Sequence, residues 1–274
     1  MQDEQTIADH VHAIESAEDR AEVVLSALAL AKSDDPAALD ALGNLLARAG
    51  ILARLDDVEE PQVKTLHLGR IMNILAENPS PETAALCLRL AQEADFLADD
   101  DRQKFLLQGL AAVRPLSETT VAYFRWTTAQ GYFSINAPLL VKNGSPAALS
   151  LLEEMIRDSA VPAERRIDAL HSCVLTHRTT LSVLQMADRL LSADLGPEVR
   201  AGVIESVFDY QGKSWFGPHP PVPPAYRSGT IEVLRFLQSL GEKVLASGGM
   251  EAHLEQAVRE AARVVQALLA RRSS

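Results

Sequence analysis

Apolar residues recur at three- and four-residue steps along the whole chain. Ile7, Val11 and Ile14 form one stripe, Val24, Leu28 and Ala31 the next, and Leu68, Ile71 and Leu75 a third. The series continues through Leu106, Leu110 and Val113, then Leu149, Leu152 and Ile156, then Val203, Ile204, Val207 and Phe208. It closes with Leu254, Val258, Ala261, Val265 and Leu268. That spacing is the period of an amphipathic α-helix. The nearest thing to a strand is the segment VAYFRW, which runs into a helical continuation. The pattern predicts an all-α protein with helices of roughly 12–20 residues.

Cap residues divide the stripes. Asp35-Pro36, Ser80-Pro81 and Ser145-Pro146 each set an oxygen-bearing side chain before a proline. The oxygen accepts an orphan backbone N–H, and proline at the first helical position loses no hydrogen bond. Pro162 and Pro197 are expected to open helices in the same way. Stops are expected at Gly50, Asn78-Pro79, Asn143-Gly144 and Gly248-Gly249. Short connections favour helices that pack antiparallel in chain order.

A basic residue followed by apolar pairs three to four and seven to eight positions later occurs five times. Its anchors are Arg20, Lys64, Arg102, Arg166 and Arg200, spaced 44, 38, 64 and 34. The 64 suggests two units with a degenerate one between them.

The stretch LQMADRLLSADLGPEVRAGVIESVF, Leu184 to Phe208, resembles a HEAT repeat: an amphipathic helix, an acidic turn, a proline, then a Val-Arg step into a second helix. SLLEEMIRDSAVPAERRIDALHSCV is similar, with Arg166 in the Arg place. The resemblance is good over 147–211, fainter over 19–113, and fails over 117–145 and the loop 212–229. It implies one domain over 1–274, a right-handed α-solenoid of HEAT-like antiparallel helix pairs, each burying its face against its neighbours. The last helix, Glu251 to Arg272, would close the apolar end. The resemblance implies fold far more than function, because the family supplies scaffolds and adaptors of many kinds. Its di-iron hydroxylases carry repeated His-Glu dipeptides, and no His here precedes Glu. Its alkylpurine DNA glycosylases use a cationic cleft, and the cationic bias is missing.

Composition narrows the function. The 274 residues are 47% hydrophobic and 23% charged, ordinary for a folded protein. The longest apolar stretch, Val23 to Ala31, is nine residues with Ser26 among them and falls short of the ~20 a membrane span needs. The opening MQDEQTIADH has no basic region before an apolar core, so a cytoplasmic protein is expected. Residues 1–104 hold 21 acids and 9 bases, and residues 105–274 hold 16 and 17. Such a distribution disfavours nucleic acid, whose binders show a basic stripe. The acidic part reads either as a solvated face or as a docking surface for a basic partner.

Candidate chemistry is sparse. Cys87 and Cys173 sit in apolar helical patterns and read as buried free thiols. His10 and His12 point apart on a helix, and His171 and His177 also miss a common face, so no metal is expected. Gly212-Lys213-Ser214 lacks the first glycine of a phosphate loop, since position 207 is Val207. Asp99-Asp100-Asp101 reads as helix capping, not as a calcium loop. No cofactor is expected.

The aromatics are clustered. Of thirteen, Tyr123, Phe124, Trp126, Tyr132 and Phe133 lie within 123–133, and Phe208, Tyr210, Trp215, Phe216 and Tyr226 within 208–226. Five prolines fall between 218 and 224 in the connection GKSWFGPHPPVPPAYRSG. Proline forces an extended backbone there, and long connections of this kind are often functional. The expected partner-binding residues are Tyr123, Arg125, Trp126, Tyr132, Trp215, Phe216, His219, Tyr226 and Arg227, with Tyr, Trp and Arg matching the make-up of binding hot spots. The same aromatics also fit a role as core filler. The function expected is a non-enzymatic scaffold or adaptor that holds a protein or peptide with a basic surface. The alternatives are a glycosylase-like solenoid acting on a nucleobase or small aromatic molecule, and a structural assembly subunit.

Overall fold

Asp35, Ser80 and Ser145 stand at helix N-caps, and the proline after each lies in the first turn. Asp35 accepts from the Ala37 N–H at 2.9 Å and Ser80 from the Thr83 N–H at 3.1 Å. Asp99 caps its helix by accepting from both Asp101 and Arg102. A computed structural model describes residues 6–56, 66–177, 180–208, 226 and 229–273, and among them the fold is all-helical with no strand.

Two cap readings are corrected. Gly50 ends nothing: it lies in the first turn of the helix Ala49–Asp56. The preceding helix stops at Leu46 through a tightened turn, in which the Ala47 N–H bonds the Gly43 carbonyl and the Arg48 N–H the Leu45 carbonyl, with Ala47 in right-handed conformation. A stop of this kind needs no positive φ, so glycine gives no mark. Pro162 precedes its helix and caps it, its carbonyl accepting from the Arg166 N–H at 3.2 Å. Helix lengths range from four residues to 22, wider than the spacing predicts.

The chain divides into two compact units, Met1–Trp126 and Thr127–Ser274. The first holds α1 (Ile7–Ser16), α2 (Arg20–Lys32), α3 (Pro36–Leu46), α4 (Ala49–Asp56), α5 (Leu66–Glu77), α6 (Pro81–Leu90), α7 (Ala94–Leu97), α8 (Asp100–Ala112) and all but the last residue of α9 (Glu118–Thr127). Here α2, α5 and α8 pack side by side, and α3 packs on α6 in a second row. Leu42, Leu68, Ile71, Leu106 and Leu110 fill the space between and are fully buried. Each such side chain contributes about 1.5–3 kcal/mol of transfer free energy.

The second unit opens with a π-turn, Thr128–Tyr132, where Gly131 takes φ +102°. A side chain rarely adopts that conformation. The wide turn interrupts the helical period, which is why the repeat pattern fails in this stretch. Then follow α10 (Phe133–Asn143), α11 (Pro146–Arg157), α12 (Ala163–His177), α13 (Leu181–Leu191), α14 (Pro197–Phe208), α15 (Ile231–Ser247) and α16 (Ala252–Ser273). One row is α10, α12, α14 and α16, and the other is α11, α13 and α15. Charged side chains link successive members of the second row: Arg189 donates to Glu153 at 2.8 Å, and Lys243 pairs with Asp188.

The repeat anchors have a physical role. Arg102 donates to the Asp95 carbonyl at 2.8 Å and Arg166 to the Ile156 carbonyl at 3.2 Å. Arg200 does the same at the end of α13. Each satisfies a carbonyl that a helix C-terminus leaves without an internal partner. Arg20 makes no such contact; Arg54 instead closes α1 through the Ile14 and Ala17 carbonyls. Lys64 lies outside the described residues.

Candidate interaction surface

The aromatic pair of α9 is built from the helix spacing. Tyr123 and Trp126 are three residues apart, so they share a face. Their rings stack with centroids 5.6 Å apart and planes inclined by 25°. The Tyr123 hydroxyl donates to the Gln103 side-chain oxygen. Gln103 is 2% exposed, and its amide donates onward to the Phe96 carbonyl at 2.7 Å. Tyr123 is thereby held by α8 and α7, while Trp126 remains 44% exposed. Arg125 is exposed on the same helix, and Phe124 between them is fully buried. Gln103 carried no sign in the sequence, since its part depends on a tyrosine 20 positions away.

The remaining candidates fall in residues 127–274, the second unit. Tyr132 belongs to the second unit, half-buried just before α10. Tyr226 is fully buried, and its hydroxyl donates to the Val207 carbonyl of α14 at 2.8 Å. Its side chain therefore belongs to the core of the second unit and presents no surface. Trp215, Phe216, His219 and Arg227 lie outside the described residues, as does Gly212-Lys213-Ser214.

The net charge of the chain resides in one unit. Residues 1–126 contain 22 acids and 11 bases, a net of −11, and residues 127–274 are balanced. Cys87 is a buried free thiol, and burial pushes its pKa up to about 12. The side chain of Cys173 lies outside the described residues. His171 Nε2 stands 3.2 Å from Glu205 Oε2 between α12 and α14. Among the described residues no group of three or more His, Cys, Asp or Glu could hold a metal ion, and no helix is long and apolar enough to cross a membrane.

No known family model matches the chain, and no curated protein matches it. The crystal structure of an engineered protein, a Northeast Structural Genomics Consortium target, aligns over 96% of this chain and 97% of that chain at 14% identity, with a TM-score of 0.29.

Proposed function

We propose that this chain is a non-enzymatic interaction module, built as a right-handed α-solenoid of HEAT-like helix pairs, that captures a protein or peptide partner with a basic surface. Helices packed in two rows within each unit, and arginines that make one kind of contact at three helix ends, support the solenoid reading. The observation that carries the binding reading is the α9 pair: an indole 44% exposed, stacked on a tyrosine that Gln103 already holds in place. A rigid, half-wet aromatic face needs little further ordering to bind, so its burial goes largely into affinity. The charge of the first unit supports a basic partner, whose approach it would speed at low salt.

The test compares the full-length wild type with Trp126→Ala in affinity purification from the native cell, with protein identification by mass spectrometry. A partner captured by the wild type, released by salt and lost with Trp126→Ala while the melting temperature holds, supports the proposal. A partner retained by Trp126→Ala overturns this surface.

A further inference from the structure

The first unit carries a groove away from α9. It runs between α3 and α6, whose first turns lie side by side, and encloses about 240 Å³, continuing into a smaller recess of about 80 Å³. Its apolar lining is Pro36, Leu39, Ala85 and Leu86. Leu39 and Leu86 are the buried floor, at 7% and 3% exposure. Asp34 and Glu82 stand exposed at the rim, and neither makes an ion pair or side-chain hydrogen bond among the described residues. The basic residue of the groove, Arg89, is already engaged: it donates to the Asp40 carboxylate at 2.7 Å, to the Asp40 carbonyl at 3.1 Å and to Asn44 at 3.3 Å.

These facts select the occupant. An anion at the helix N-termini is disfavoured, because the Asp35 carboxylate and the Ser80 hydroxyl already take first-turn N–H groups and the surrounding charge is negative. Neither hollow by itself reaches the roughly 300–1,000 Å³ of a drug-sized site. One proline or aliphatic side chain fits on Leu39 and Leu86, and a cation next to it on the side of the helix N-termini would meet Asp34 and Glu82, which have no cation of their own among the described residues. We infer that the α3–α6 groove docks an extended segment of a partner protein, in which an apolar side chain lies next to lysine or arginine. This deepens the reading of the chain as an interaction module and rests on it, at a place separate from Trp126.

The test uses the full-length protein and a fluorescein-labelled peptide of sequence KRPLRK, followed by anisotropy and by backbone amide shifts at low salt. Binding is expected with shifts confined to 34–40 and 82–89. The double substitution Asp34→Asn with Glu82→Gln should weaken it about fivefold, the scale of two exposed ion pairs. Ala85→Arg, on an exposed position that leaves the core alone, should abolish it, and Trp126→Ala should leave it unchanged. Absence of binding, shifts elsewhere, equal binding of the peptide EEPLEE, or an unchanged affinity in the double variant overturns the proposal. So does protein self-association through the groove in the absence of peptide. Groove binding intact while partner capture ignores Trp126 overturns the α9 surface alone; the reverse result overturns the groove alone.

Discussion

Arg200 Nη1 donates to the Leu191 carbonyl at 2.7 Å, so that a side chain of α14 closes the end of α13. Its second amino group donates to the Ser247 hydroxyl at 2.9 Å, at the last residue of α15. One guanidinium therefore ties three helices together. A helix C-terminus is electronegative and short of donors, and a cation with several N–H groups answers both needs. Arg200→Ala is expected to lower unfolding free energy by about 1.5–3 kcal/mol, the range for hydrogen bonds to a charged group. Arg200→Lys should recover less than half, because an ammonium lacks the planar fork that reaches both acceptors. Urea denaturation of the two variants measures this.

Tyr226 is expected to matter for stability. Its hydroxyl is buried against the Val207 carbonyl, and its ring is fully enclosed. Tyr226→Phe removes the donor and should cost about 1–2 kcal/mol. Tyr226→Ala adds an emptied ring volume and should cost about 3–5 kcal/mol. A thermal melt of Tyr226→Ala matching the wild type would contradict its place in the core.

Glycines separate close packing from mere flexibility. A Cβ at Gly202 in α14 would stand 2.8 Å from the Ile167 side chain of α12. Ile167 is branched at Cβ and has little room to turn. Gly202→Ala gains about 1 kcal/mol of helix propensity but loses about 1–3 kcal/mol to overpacking, so it should be neutral to destabilising. At Gly50 a Cβ meets nothing within 4 Å. Gly50→Ala in α4 should stabilise by about 0.5–1 kcal/mol. Chemical denaturation of the pair should show these opposed signs.

Cys87 should make stability fall in alkali. Its thiol is raised from 9.0 to about 12 by burial, so the folded chain holds a proton that the unfolded chain releases. This contribution is complete below pH 9 and is lost as pH rises toward 12, by about 1.4 kcal/mol per pH unit. Cys87→Ala should flatten that part of the profile. In the native wild type, Cys87 should also resist thiol-specific alkylation at pH 8, reacting only on unfolding.

Much of this was legible because helix signals are local. A three-to-four residue apolar period, an Asp or Ser before a proline, and an arginine at the start of the second helix each act within a turn or two. The all-helical fold, the caps at Asp35, Ser80 and Ser145, and the anchors Arg102, Arg166 and Arg200 could therefore be read along the chain. The aromatic pair Tyr123 and Trp126 could be found as a pair, since three residues set them on one face.

The tertiary structure decided what depends on neighbours distant in sequence. It made Arg54 rather than Arg20 the closure of α1, put Tyr226 into the core, and fixed Tyr123 through Gln103 while leaving Trp126 at the surface. It also set the first turns of α3 and α6 together to form a groove. An amphipathic helix shows in its sequence which side is apolar, but the helix that comes to cover that side is chosen by packing, and packing decides which rings and charges stay in water.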